Sequence, residues 1–366
     1  MIGDWNRKEK PLLGLLGSGG GLGYLAGRVT DIADLLYTIS NSGTSFTLRS
    51  TGTVNYTVDW GDGSNEETST SNTLAHTYSS SGTYKVKINS NSGSYRPKFD
   101  SSGDEDQITS VKVSVEDSSL FSTNIERAFR GAQNMTEYTQ VSAATSAVSD
   151  FERTWENCSG ITGTFPLIDT SSGTSFKVTW GSCSGLTSFP LIDTSSATNF
   201  TGAWINCTGL TAFPLIDTSS VTNFATTWRG CTGIGGSFPQ IDTSSGTDFT
   251  QTWNNCSGIT TFPLIDTSSG TTLSSTWNGC SGITGTFPLI NTSNVTSFSN
   301  TWRSCSGITT FPLINTSSGT TFNRAWNSCS GLTTFPLIDT SSGTNFSFTW
   351  ASCSGLTSFP ALDFSS

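Results

Sequence analysis

Residues 165–188 read FPLIDTSSGTSFKVTWGSCSGLTS, and residues 189–212 continue with FPLIDTSSATNFTGAWINCTGLTA. A tryptophan and a cysteine occupy the same places in both. The pair recurs nine times, with cysteines at Cys158, Cys183, Cys207, Cys231, Cys256, Cys280, Cys305, Cys329 and Cys353, always 24 or 25 residues apart. The longer units each carry one added residue just before Phe165, Phe238 or Phe287. One insertion point with preserved flanks marks a tolerant loop within a structural repeat. A degenerate unit precedes the series: Ile125, Phe129 and Ala132 stand at the spacing of Phe151, Trp155 and Cys158. It is read as an N-terminal cap coil, since terminal repeats are atypical.

Within a unit, Phe-x-x-x-Trp-x-x-Cys places three side chains at i, i+4 and i+7, one face of a helix. The spacing predicts a helix of about two turns. Ser175, Asn199 and Asn223 stand where an N-cap belongs, and the glycine two residues after every cysteine stands where a left-handed C-cap belongs. The run FPLID has room for one strand, and Asp-Thr-Ser-Ser-Gly reads as a turn to the next unit. Pro166 and its equivalents donate no ladder bond, so the sheet is expected to be narrow. Trp155, Cys158, Trp180, Cys183, Trp204, Cys207, Trp228, Cys231, Trp253 and Cys256 are then core positions that face their counterparts one coil away. No single unit buries its own apolar face; the array folds together.

The stretch DTSSVTNFATTWRGCTGI, Asp217 to Ile234, resembles the BspA-like leucine-rich repeats of bacterial surface proteins. The resemblance runs from Phe121 onward, with a shorter strand region and Trp where Phe is commoner. It implies a right-handed solenoid of about ten coils of 24–25 residues, carrying a parallel sheet and serving adhesion or protein and glycan contact without catalysis. Upstream, VNYTVDWGDGS (residues 54–64) alternates apolar and polar residues into an Asp62-Gly63 turn, and HTYSSSGTYKVKI (residues 76–88) places a turn at Ser81-Gly82 before another alternating strand. These residues resemble the PKD domain, which implies a small β-sandwich used as a spacer or weak binding module. The expected fold is therefore mainly β with short helices. Residues 1–30 form a Gly-rich peptide, 31–116 the sandwich, and 117–366 the repeats, with 117–149 as the cap coil.

The first 28 residues, MIGDWNRKEKPLLGLLGSGGGLGYLAGR, contain no compact apolar core for a signal peptide. GSGGGLG lacks the Lys-Ser/Thr of a phosphate loop. Trp5, Pro11, Leu12, Leu13, Leu15 and Leu16 make the peptide too apolar for a plain linker, so a partner that buries them is expected. The segment looks like the Gly-rich leaders of marine cyanophage virion structural proteins, which implies anchoring on other virion proteins of a capsid or tail.

A net charge of −10 argues against nucleic acid, and no run of 18 apolar residues exists for a membrane span. Zinc requires clustered ligands, whereas these cysteines come one per coil; they read as free, buried thiols. The series Asp169, Asp193, Asp217, Asp242, Asp266, Asn291, Asn315, Asp339 and Asp363 reads as turn caps, because Asn alternates with Asp; calcium between coils is the alternative. Asp59 and Asp62 pose the same choice. His76, the one histidine, is read as a brace for the sandwich. Glu152 and Glu156 are confined to one unit and read as a solvated helix face. No catalytic residue, metal or cofactor is expected.

What remains is a binding or structural protein. The leading reading is a phage virion surface protein of decoration or fibre type, with the repeats projecting toward a host-surface glycan or protein. A bacterial cell-surface adhesin is the alternative, and self-association is left open. The varying residues Lys177, Arg229, Gln251, Arg303, Arg324 and Phe348, set between constant ones, are the candidate recognition surface. The Thr/Ser ladder beside the prolines is a second candidate surface.

Overall fold

The computed structural model describes residues 34–364 apart from 53, 94, 100–102, 115–120, 122 and 141. They are mainly β; the helices among them are two 3-10 turns, Glu105–Gln107 and Ser142–Thr145. The predicted two-turn helices do not form.

The N-terminal part contains β1 (Leu35–Ser42), β2 (Ser45–Thr51), β3 (Val54–Asp59), β4 (Glu67–Ser69), β5 (Thr73–Thr77), β6 (Ser81–Gly93), β7 (Arg96–Pro97) and β8 (Ile108–Val113). They join with β9 (Glu137–Gln140) in a six-stranded sheet of order β4-β3-β6-β1-β8-β9 and a three-stranded sheet of order β5-β2-β7. Alternation places Leu35, Tyr37, Ile39, Val86 and Ile88 of one sheet, and Phe46 and Leu48 of the other, completely out of solvent. The ring of Phe99 touches both sheets, Tyr37 edge-on at 6.1 Å and Phe46 at 6.5 Å. The bend before β6 falls at Ser79-Ser80. Ser81 and Gly82, predicted as the turn, are instead paired with Ser42 and Asn41 of β1. Ladder pairing extends the strand two residues further than the Ser-Gly signal suggests.

β9 lies within the expected cap coil, yet it pairs parallel with β8. Thr136 N–H and hydroxyl both donate to Thr109 O, and Asn134 Nδ2 donates to Asp106 O at 2.7 Å. The repeats thus begin on the edge of the sheet. Ile125, Phe129 and Ala132 are fully buried at the foot of the array.

In each repeat the Phe-to-Cys segment is a chain of tight turns. Thr154 N–H donates to Phe151 O, Glu156 N–H to Arg153 O and Cys158 N–H to Trp155 O, all i to i−3. The interleaved N–H groups leave the unit: those of Phe151, Arg153, Trp155 and Asn157 donate to the carbonyls of Ser175, Lys177, Thr179 and Gly181 in the next unit. Two residues per unit are left-handed, Arg153 (φ 56°) and Asn157 (62°), then Val178 (54°) and Ser182 (61°), and so on. Each stands third in a four-residue turn, where a type II turn takes positive φ. A left-handed residue every fourth position forbids the i to i−4 ladder of an α-helix. The same spacing of four keeps Phe, Trp and Cys on one side, so the predicted face survives without the predicted backbone.

The cap assignments change accordingly. Asn199 and Asn223 accept from the N–H two residues on, at 2.9 Å each, but the structure they open is a turn. The glycines after cysteine are not left-handed. A Cβ on Gly185 would lie 2.4 Å from Ser159 O and 2.6 Å from Ile161 O of the preceding unit, and Gly209 and Gly233 are equally pinned. These positions need glycine for close approach of backbones.

The strand also moves. The pairs β10 (Gly163–Thr164) with β11 (Leu186–Ser188), β12 (Gly236–Ser237) with β13 (Ile259–Thr261), and β14 (Gly285–Thr286) with β15 (Ile308–Thr310) are parallel and end just before the Phe-Pro. FPLID is not a strand. Ile216 N–H donates to Pro214 O, a γ-turn that recurs at Ile241, Ile290, Ile314 and Ile338. A second parallel contact runs through single bridges from Asn124 to Asp150, Ser175, Asn199, Asn223, Asp248, Thr272, Ser297, Thr321 and Asn345.

Side chains complete the joints between units. Thr179 Oγ1 donates to Phe151 O at 2.9 Å, and Cys183 Sγ to Trp155 O at 3.0 Å. Thr170 Oγ1 reaches forward to Asp193 O. The thiol contact holds at 3.0–3.1 Å for every one of the nine cysteines. Each Cys therefore supplies a buried donor to a carbonyl as well as apolar volume. Tryptophans stack on one another at 5.2–6.0 Å, as between Trp180 and Trp204 (5.3 Å) and Trp204 and Trp228 (6.0 Å). A perpendicular column of Phe rings, such as Phe189 4.8 Å from Trp180, lies alongside. The nine indole N–H groups have no hydrogen-bond acceptor among the described residues; ring contacts are what these indoles gain from burial.

Candidate interaction surface

Two faces of the repeats reach solvent with a regular pattern. The first is the turn segment that carries the six residues singled out by their variability. Lys177 directly follows Phe176, and its Nζ lies 3.1 Å from Glu152 Oε1. Arg229 and Arg303 directly follow Trp228 and Trp302. Gln251, Arg324 and Phe348 occupy the left-handed position two after the Phe. The Arg324 guanidinium lies 5.3 Å from the centre of the Phe348 ring, which is 62% exposed. The six are otherwise spread over separate units and converge on no common point.

Glu152 and Glu156 sit on turns, not on a helix. Glu156 pairs with Arg130 at 2.7 Å and Arg153 at 3.3 Å, while Glu152 pairs with Arg153 and Lys177. Both carboxylates are occupied by cations in the first repeats.

The second face was not legible as a surface. Leu167, Leu191, Leu215, Leu264, Leu289, Leu313 and Leu337 point outward, each 57–66% exposed; at Leu215, Leu289, Leu313 and Leu337 a γ-turn centred on the leucine reverses the chain. The neighbouring Phe and Ile are buried. In the fourth unit Gln240 replaces the leucine. There the surface dips into an open groove of about 770 Å³ lined by Leu215, Gln240, Asp242, Leu264, Leu289 and Asn291, among others. Period-two alternation would have placed this Leu with the Phe; one polar substitution, Gln240, in a file otherwise of leucines up to Ala361 in the last unit was the available signal.

The acidic series borders the leucines. Asp169 Oδ1 accepts from the Ser171 N–H (3.0 Å) and hydroxyl (2.7 Å), and Asp193, Asp217, Asp242 and Asp339 repeat both contacts. Asn291 and Asn315 accept the same backbone bond, as an Asx turn requires of either residue. Those serine donors hold the carboxyls of Asp193, Asp217, Asp266 and Asp339 below their usual range. Among the described residues, no three His, Cys, Asp or Glu side chains gather as metal ligands would.

In the N-terminal sheets His76 stacks on Trp60 at 4.7 Å and lies 2.7 Å from Asp62 Oδ2. Tyr78 meets the same ring edge-on and donates its hydroxyl to Trp60 O. Gly61, at φ 75°, lets the turn press to 2.5 Å of Lys85 O, counted from the Cβ it lacks. Asp59 and Asp62 each cap the turn through an N–H two residues on. The core ladder from Trp155 and Cys158 to Trp253 and Cys256 is wholly buried, and no thiol pairs with another among the described cysteines. Trp5, Pro11, Leu12, Leu13, Leu15 and Leu16 lie outside the described residues. No protein family, curated protein or solved structure matches the chain.

Proposed function

We propose that this chain is a non-enzymatic virion surface protein of decoration or fibre type. In this reading residues 31–116 are a PKD-like β-sandwich and residues 117–366 a leucine-rich-repeat solenoid of the BspA type. Residues 1–30 dock on other virion proteins, and the repeats project toward a host-surface glycan or protein. One observation carries the reading: the constant Phe, Trp, Cys, Thr and Gly of every unit are spent on joining that unit to its neighbours. Glu152 and Glu156 are paired as ions, and Asp169, Asp193 and Asp217 cap turns. A scaffold that spends these constant residues on stacking offers contact area, and recognition falls to the positions it exposes.

The test uses the full chain and a variant lacking residues 1–30. Deletion is expected to abolish incorporation into particles while the purified chain still binds host cells. Incorporation unchanged by the deletion would remove the anchoring role. Binding to cells with no particle association at all would favour the bacterial adhesin.

A further inference from the structure

Seven leucines exposed in file, one coil apart except across Gln240, form an apolar stripe that a solvated protein has reason to cover. At about 100 Å² of exposed surface apiece, they offer about 700 Å² per copy, close to the ~800 Å² per partner of a stable interface. We propose that the stripe is a self-association surface, on which two copies of this chain pair side by side, parallel and in register.

Three features select this occupant. The first is period. Contacts recur at the spacing of stacked coils, and a partner matching them over seven units needs the same spacing, which a second copy has by construction.

The second is the break. The file runs Leu167, Leu191, Leu215, Gln240, Leu264, Leu289, Leu313, Leu337. Burying Gln240 against a leucine would strand its amide donors and acceptor. In-register parallel pairing sets Gln240 against Gln240, so each amide meets its like while all eight positions overlap. A polar residue at one position of an apolar seam specifies register in this way. An antiparallel pair that matches Gln240 with itself leaves Leu337 without a partner.

The third is the flanks. Along the chain each leucine lies between a hydroxyl row (Ser188, Thr261, Thr310 and Thr334 among them) on its N-terminal side and the carboxylate row on its C-terminal side. A two-fold axis parallel to the stack reverses the chain direction of the partner, and brings each copy's carboxylates over the other's hydroxyl donors. An axis along the chain direction, with Gln240 matched to itself, would set Asp217 against Asp266 and Asp242 against its own copy, a like-charge clash. Parallel pairing is the complementary solution.

Sedimentation of the full chain at tens of micromolar is expected to give twice the chain mass. Leu264→Lys, at a position 57% exposed, is expected to weaken pairing at least 100-fold with an unchanged tryptophan emission spectrum. Should that variant misfold, Leu215→Ser serves the same purpose. Orientation is read by oxidising Leu313→Cys in a Cys353→Ser background. A parallel pair cross-links this single variant to itself, whereas an antiparallel pair cross-links it only when mixed with Leu167→Cys or Leu191→Cys. A monomer at 100 µM, a trimer, or cross-linking confined to the mixed sample would each overturn the proposal. The pairing is independent of the virion reading, since particle incorporation and self-association are scored separately.

Discussion

The glycine that follows each cysteine offers the sharpest test of how the units are joined. At Gly233 an added Cβ would lie 2.4 Å from Thr208 O and 2.6 Å from Leu210 O, both in the preceding unit. Ordinary contact begins about 1 Å further out, so Gly233→Ala must push two backbone carbonyls away, and with them a neighbour held by its own ladder. Overpacking of this kind costs typically 1–3 kcal/mol, and the rigid partner places it near the top of that range, at about 3 kcal/mol. Entropy lost by the unfolded chain returns less than about 1 kcal/mol. Gly233→Asn is expected to be no better than Ala, because the obstacle is space. Gly236 is the opposite case: it is left-handed (φ 74°) with nothing within 4 Å of an added Cβ. There alanine is expected to cost about 1 kcal/mol through its backbone alone, and asparagine less, since it tolerates that conformation. Denaturant midpoints followed by tryptophan emission give the order of the four variants, which is the readout because long arrays need not unfold in one step. If Gly233→Asn proved more stable than Gly233→Ala, the position would be a left-handed cap after all and the close-approach argument would fail.

Other perturbations probe the rest of the structure. Burial lifts the thiols far above their ordinary value of 9.0, to about 12 for Cys231 and Cys280. The fold keeps them protonated while the unfolded chain ionises, so their contribution is complete below about pH 9 and is lost as pH rises toward 12. A thermal melt series from pH 8 to 11 should show this fall, and a flat series would contradict it. At pH 8 an aromatic disulfide reagent should label half-exposed Cys353 first and leave the other eight native thiols silent; nine equal rates would argue against a buried ladder. Asp62 is held down to about 2 by the Ser64 hydroxyl and N–H, with help from His76. Its contribution is present above about pH 4 and lost as pH falls through the folded value. Asp62→Asn should flatten the acid limb of melting temperature against pH, and an unchanged limb would dismiss the pair. Val178 carries a β-branched side chain at φ 54°, a conformation costing about 1–2 kcal/mol outside glycine. Val178→Asn should therefore gain about 1 kcal/mol in denaturant titration, and a loss would mean that its packing outweighs the backbone.

The repeat, its length, its insertion point and its cap unit are all legible in the order of residues. They depend only on which residues recur, and apolar residues recur where a core must be. The burial of Trp180 and Cys183 follows from the same logic. The backbone beneath them does not. A spacing of i, i+4, i+7 is shared by an α-helix and by successive four-residue turns, and only the left-handed residues distinguish the two. One clue was present: Asn157, Ser182, Asn206, Gly230 and Asn255 are polar or glycine at the second left-handed site, a run that an amphipathic helix does not require.

Composition and periodicity alone determined that this chain is an array of like units with an aromatic and thiol interior. Local pattern carries that much, because burial selects residue type. Tertiary structure decided where the hydrogen bonds run, since half the N–H groups of each turn segment are satisfied by a neighbouring unit and no local rule names that acceptor. It also decided which leucine faces water. Leu167 and its equivalents face outward because the Phe and Ile on either side dock into the array, and at Leu215, Leu289, Leu313 and Leu337 a γ-turn centred on the leucine reverses the chain.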